Sequence, residues 1–247
     1  MGVAAEKCAD KYGFSREASD AYAIETYTRA QKAHEQGLFD GEIVPVEVPQ
    51  GRGKPPKVVS VDEEVTKFNP GKMSELKTPF KPAGTVTAAN ASSLSDGAAA
   101  VVVVSAAKLA ELRASGTLDE SHPVFKISGW ADAAQEPVWF TVSPSLAIPK
   151  AVAHAQKRSA SGAAPEIDYY EINEAFSVVA LANNKILGLD AAQVNVFGGA
   201  VGLGHPLGCS GCRIVVTLCN VLSKKGGRTG VAAICNGGGG ASAAVIE

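Results

Sequence analysis

One histidine in this chain stands where few sequences would place it by accident. Residues 194–211 read VNVFGGAVGLGHPLGCSG, so His205 is set in a loop with five glycines, at 198, 199, 202, 204 and 208, and followed at once by Pro206. Glycine lets the backbone turn with positive φ and approach a ligand, and proline suits the first turn of a helix, where its missing N–H costs nothing. The expectation is that the imidazole projects from a strand-to-helix turn and serves as a base or a hydrogen-bond donor. Two other groups could work beside it. Asn173 and Glu174 follow the apolar run YYEI, and Cys235 closes VAAIC just before GGGG at 237–240. A thiol next to a cluster of inward-facing backbone N–H groups would be held as thiolate, able to act as base or nucleophile. Other readings stay open at this point. His205 could be a turn residue bonded to a carbonyl, and Cys235 an inert packed thiol. The glycines do not complete a dinucleotide fingerprint, since Gly202, Gly204 and Gly208 are spaced G-x-G-x-x-x-G and no acidic residue follows at the required distance.

These groups need a scaffold, and the periodicity supplies one. Residues 1–36 carry apolar positions at helical spacing in two segments, with Ser15 as N-cap of the second and Gly37 as its end. Tyr22 and Tyr27 fall on that second segment, where core packing is the plain reading of Tyr22. A strand is expected in IVPVEV at 43–48, followed to residue 82 by a passage with little periodicity. Lys67 and Lys72 lie there, as solvated charges or as contacts to a phosphorylated ligand. From residue 84 a small-residue segment containing Ala88, Ala89, Ala91 and Ser92 leads to a buried strand at 101–104 and a helix from Ser105. Such small residues suit either close ligand approach or tight helix packing. Strands are then expected at 124–130, 167–172, 194–197, 229–234 and 242–246, with helices at 145–157, after NEAF, and up to Leu222. Alternating strands and helices predict a layered α/β sheet, in which ligands gather beyond the carboxyl ends of strands. Asn173, His205 and Cys235 all fall at such ends.

Composition narrows the function. The chain has 247 residues, 46% hydrophobic and 19% charged, with net charge -2 and no long basic run, which argues against nucleic acid or an anionic membrane as partner. The longest apolar run, residues 97–107, is too short to span a bilayer. Five cysteines, an odd number, and no secretory leader point to a reducing compartment. Cys209 and Cys212 form a C-x-x-C without a second pair for zinc and, with Cys219, read as packing residues.

Taken in order, SREASDAYAIETY, GTVTAANAS, NEAF, GGAVGLGHPLGCSG and CNGGGGASA resemble the thiolase family, most closely its biosynthetic acetyl-CoA acetyltransferases. The resemblance implies a mixed five-stranded sheet with helices on both faces plus a loop domain, in a dimer or tetramer. The expected division is a loop domain at 1–83, the remainder of an N-terminal domain at 84–122 and a C-terminal domain at 123–247. By motif, His205 would activate a nucleophilic cysteine and, with a water held by Asn173, form an oxyanion hole. Cys235 would move the α-proton of a second acetyl-CoA, and Ser92, Lys67, Lys72 and Tyr27 would contact coenzyme A. Tyr27, Ala88, Ala89, Ala91 and Val201 match positions that bind potassium in some members. The implied reaction joins two acetyl-CoA into acetoacetyl-CoA, at the head of isoprenoid and sterol synthesis, in the cytoplasm or the mitochondrion. Thiolases carry the acylated cysteine ahead of the loop domain. This sequence opens within that later region, and Cys8 is not assigned the nucleophile role. The competing expectation is a non-catalytic protein that binds coenzyme A or pairs with a full-length thiolase. In either case a broad apolar face is expected where the first half would sit.

Overall fold

The computed structural model describes residues 1–247. Helix α1 (Gly2–Tyr12) ends at Gly13, whose left-handed φ of 71° lets its N–H reach the Ala9 carbonyl. Helix α2 (Arg16–Glu35) starts at Ser15, whose hydroxyl accepts from the Ala18 N–H at 3.1 Å. Next come an exposed antiparallel hairpin, β1 (Val46–Val48) with β2 (Lys57–Val59), and two 3-10 turns, Glu64–Thr66 and Pro70–Glu75. Residues 84–104 have no helix or strand. The buried Glu6 carboxylate fastens the start of this segment by accepting from the N–H groups of Thr85 and Val86 at 2.8–3.0 Å.

The remaining elements are α3 (Ala106–Ala114), β3 (Ile127–Ala134), α4 (Pro144–Arg158), β4 (Tyr169–Ile172), α5 (Ser177–Leu187), α6 (Ala200–Leu203), α7 (Ser210–Lys225), β5 (Gly230–Cys235) and β6 (Gly240–Ile246), with two further 3-10 turns at Pro137–Val142 and Ala191–Gln193. Strands β3, β6, β5 and β4 lie side by side in that order, with only β4 and β5 parallel. Period-two alternation splits each strand between two helices. Val231, Ala233, Ala243 and Val245 pack with Ala147, Ile148 and Ala151 of α4, while Ala232 and Ile246 pack with Ile214, Leu218 and Leu222 of α7. Burial of each large aliphatic side chain there stabilises the fold by about 1.5–3 kcal/mol. The expected α/β sheet with helices on both faces is therefore present.

Two expected strands are absent, and the sheet has four strands rather than five. At 194–197 only Val194 bridges Tyr170, because Asn195 turns left-handed with φ 48° and its side chain takes over the edge. The Asn195 Oδ1 accepts from the Ile172 N–H and its Nδ2 donates to the Ile172 carbonyl, both at 2.9 Å. At 101–104 the four valines are 48%, 90%, 69% and 40% exposed, since no strand lies beside them to complete a ladder. Strand β3 also begins three residues later than the expected 124, and IVPVEV contributes only its last three residues.

Gly198 anchors the next turn against α2 with φ 83°, and a Cβ there would lie 2.6 Å from the Thr26 carbonyl oxygen and 2.8 Å from the Ala30 Cβ. Gly198→Ala is expected to destabilise the chain by about 1–3 kcal/mol through strain and crowding together. A urea midpoint equal to that of the unaltered protein would refute this packing of α2 on the turn.

Candidate active site

His205 sits between α6 and α7, so its turn joins two helices and not a strand and a helix as expected. Its backbone N–H donates to the Ser93 carbonyl at 2.9 Å, which fastens the loop to the segment at 90–95. The ring is half-buried, with Nδ1 2.6 Å from the Ser210 Oγ and Nε2 3.4 Å from the Asn173 Nδ2. Ser210 is fully buried and spends its own proton on the Pro206 carbonyl at 3.1 Å. Asn173 Nδ2 can only donate, so Nε2 accepts from it, and the ring proton sits on Nδ1, where the Ser210 oxygen accepts it. Burial, and then the nearby positive charge of Arg213, lowers the pKa of His205 from its ordinary 6.5, so the ring is neutral at pH 7.

Asn173 is 1% exposed at the end of β4, and its N–H donates to the Ala233 carbonyl of β5 at 2.9 Å. Its Oδ1 is buried without a hydrogen-bond partner, leaving an acceptor free to hold a water. Next to it, the fully buried Glu174 carboxylate accepts from the Tyr22 hydroxyl at 2.7 Å, Thr26 Oγ1 at 3.0 Å, Asn195 Nδ2 at 2.9 Å and the Val201 N–H at 3.1 Å. Tyr22 is thus a hydrogen-bond donor as well as a packed ring. Its pKa stands well above 10, chiefly through burial and then through Glu174, so the phenol keeps its proton.

Comparison with known proteins places this arrangement. Residues 1–107 match the family model described as the thiolase N-terminal domain, and residues 121–247 match the thiolase C-terminal domain. The chain belongs to the thiolase family. Over its full length this thiolase chain is 57% identical to the cytosolic acetyl-CoA acetyltransferase ERG10 of Gibberella zeae and 56% identical to the acetyl-CoA acetyltransferase of Schizosaccharomyces pombe. It spans 59% and 60% of the length of those two relatives. Among solved structures it superposes on the Bacillus anthracis acetyl-CoA acetyltransferase with a TM-score of 0.89 at 38% identity. On the Ascaris suum Acat5 thiolase, determined with coenzyme A, the TM-score is 0.81 at 43% identity. In both cases all of this chain is covered and 59% of the other.

The remaining expected site residues of this thiolase chain fall into two groups. Ser92 lies beside the histidine's anchor and donates to the Ala175 carbonyl at 2.9 Å. Tyr27 stacks on Phe68 with ring centroids 4.5 Å apart, in a cluster with Val201 and Met73 that Ala89 borders. The carbonyls of Ala88, Ala89 and Ala91 accept no hydrogen bond from the chain. Lys67 and Lys72 form the outer group. Both are exposed, and Lys67 pairs with Glu64, which raises its pKa.

Cys235 corrects one expectation. The N–H groups of Gly238 and Gly240 bond the Asn236 Oδ1 and that of Gly239 bonds the Asn236 carbonyl, so these donors are spent away from the sulfur. Burial instead pushes the thiol up to about 12, and it rests protonated. Sequence reading had passed over Ser210 and left Glu174 without a role. Serine five residues after a histidine carries no recognisable signal until the loop folds back.

An NMR titration over the four histidines is expected to place His205 below 6.5, with the imidazolium disfavoured by desolvation. Ser210→Ala is expected to remove the Nδ1 partner and let the ring take up both tautomers. A His205 midpoint above 6.5, or a tautomer signature unchanged in the variant, would contradict the stated environment.

Proposed function

We propose that this chain carries the acid–base half of a thiolase centre, which joins two acetyl-CoA molecules into acetoacetyl-CoA and free coenzyme A, reversibly. The observation that carries the reading is the His205–Asn173 pair, in which Nε2 faces the Asn173 amide across a long 3.4 Å contact and the buried Oδ1 has no partner. Nε2 takes the proton of the cysteine that attacks the first thioester, and the resulting Nε2–H then donates to the oxygen on which negative charge develops. A water on the Asn173 Oδ1 gives the second donor. One nitrogen thus serves in turn as base and as oxyanion donor, because Ser210 holds the other.

Coenzyme A leaves with a proton, and the acetyl group stays on the cysteine. A base then removes the α-proton of the second acetyl-CoA, and the carbanion attacks the acetyl group to release acetoacetyl-CoA. Cys235 is proposed for that proton. It rests as a thiol, so its proton is the one that leaves with coenzyme A, and the resulting thiolate takes the α-proton. Nε2–H meanwhile returns its proton to the released nucleophilic cysteine. In the reverse direction Cys235 is already the protonated acid. Ser92, Tyr27, Lys67 and Lys72 are proposed to contact coenzyme A, the two lysines through its phosphates. The free carbonyls of Ala88, Ala89 and Ala91, with Val201 and the Tyr27 phenol, would hold a potassium ion, which prefers such neutral oxygens. The acylated cysteine is assigned to the portion of a thiolase that these residues do not span.

On this reading residues 1–83 form the loop domain, 84–122 the remainder of the N-terminal domain and 123–247 the C-terminal domain. The product feeds mevalonate-dependent isoprenoid and sterol synthesis in the cytoplasm, by a homo-oligomer or a pairing with a full-length thiolase. No helix is long and apolar enough to cross a membrane. A second reading, a coenzyme A-binding partner without turnover, is favoured by the glycine N–H groups being spent on Asn236, which leaves a Cys235 thiolate without those donors.

The test is calorimetric binding of coenzyme A to the purified chain, together with thiolysis of acetoacetyl-CoA. Binding is expected, and wherever turnover is present His205→Ala and Cys235→Ala are each expected to lower it by about 10²- to 10⁴-fold. Binding with no turnover from folded protein would move the catalytic claim to a longer product and leave the second reading. Absence of binding would end both.

A further inference from the structure

We propose that Cys209 and Cys212 are a redox modification site, oxidised to an intrachain disulfide by a small-molecule disulfide such as glutathione disulfide, and that this bond takes Ser210 away from His205. The first observation is where the five cysteines lie. Cys8 and Cys235 pack in the cluster around α1 and α5, and Cys219 packs against Ile214 and Leu218. Cys209 and Cys212 join no hydrophobic cluster, against the expectation that they serve packing. Both are half-exposed at the start of α7. What a half-exposed thiol offers is its chemistry rather than its volume.

Spacing is the second observation. Cys209 already has helical angles, φ -94° and ψ -31°, so three residues of helix bring the two Cα atoms to about 5 Å. A disulfide accepts about 4.4–6.8 Å. Burial raises the Cys209 pKa, and Cys212 is near enough to raise it further, while Arg213 opposes both. Cys219 stands about 10 Å further along the helix axis, out of reach of either sulfur. The exchange balances in two steps. One thiolate attacks a sulfur of glutathione disulfide and releases one glutathione, and the second thiolate then attacks the mixed disulfide and releases the other. Two protein thiols are oxidised, one external disulfide is reduced, and the protein's two protons go to the released thiolates.

The third observation joins the pair to the site. Ser210 lies between the two cysteines and accepts the Nδ1 proton of His205 at 2.6 Å. The N–H groups of Cys209 and Ser210 and the Ser210 hydroxyl all donate to the Pro206 carbonyl, at 2.8, 2.9 and 3.1 Å. Helical Cβ atoms at this spacing stand about 5–6 Å apart, and a disulfide needs about 3.8 Å. Closure therefore tightens the first turn of α7 by about 1–2 Å, which a short hydrogen bond does not survive. His205 loses its acceptor and with it the single tautomer. The effect on turnover rests on the acyl-transfer reading, whereas the bond and the tautomer do not.

In the experiment the full 247-residue chain is equilibrated with glutathione disulfide, free thiols are alkylated, and the peptide holding both residues is analysed by mass. It is expected to be two hydrogens lighter and unalkylated. Cys209→Ser and Cys212→Ser should each abolish this, and Cys219→Ser should keep it. NMR of the oxidised chain is expected to show His205 in both tautomers, as in Ser210→Ala, with dithiothreitol restoring one. Phenylarsine oxide, which bridges two close thiols, should bind the unaltered chain at least about 100-fold more tightly than either single variant. The proposal is overturned by a peptide that keeps two alkyl groups or a glutathione, by a bond to another cysteine, by equal arsenical binding, or by a disulfide that leaves His205 unchanged. None of these readouts needs substrate, so failure of the acyl-transfer reading would leave them standing.

Discussion

The site depends on one buried carboxylate. Glu174 has no solvent to turn to, so every lone pair it offers must meet a donor from the chain, and an unmet one would cost about 1–3 kcal/mol or more. The donors come from α2, from the turn at Asn195 and from the first turn of α6. These three segments are far apart in sequence, and a single side chain requires them to converge. Gly199 packs directly on the carboxylate, which explains why the backbone there can carry no side chain. The His205 loop follows α6 without a break, so its position is set by the same convergence.

The polar groups nearest the histidine are arranged by subtraction. Pro206 has no N–H and offers only its carbonyl, which takes the Ser210 proton, and the Ser210 oxygen then takes the proton of Nδ1. What remains is the nitrogen that faces Asn173. The protein thus selects a tautomer with neutral groups alone. A carboxylate in place of Ser210 would favour the charged ring, against the burial and the Arg213 charge that hold it neutral.

The helices and the paired strands of the sheet were legible because their signals are local. Ser15 marks a helix start whatever the tertiary context, and the alternation in 230–235 and 240–246 needs only two covering helices. Three misreadings have a common cause. The valine run is a strand only if neighbours exist, the run at 194–197 is ended by an asparagine whose side chain imitates backbone, and the glycines after Cys235 were claimed by Asn236 first. Each depends on which partner reaches a hydrogen-bonding group, and residue spacing is silent about that. Ser210 and the hydrogen-bond role of Glu174 are hidden in the sequence for the same reason.

Asn195 has a consequence beyond the site. By occupying both the N–H and the carbonyl of Ile172, while its own N–H takes the Tyr170 carbonyl, it closes the outer edge of β4 with one residue. A sheet edge left open invites strands from other molecules, and proteins spend charges, prolines or bulges to prevent it. Here the plug is an uncharged amide in a left-handed turn, placed where a charged guard would disturb the neighbouring carboxylate. The same asparagine that shapes the turn before α6 therefore also closes this margin of the sheet to strands from other molecules.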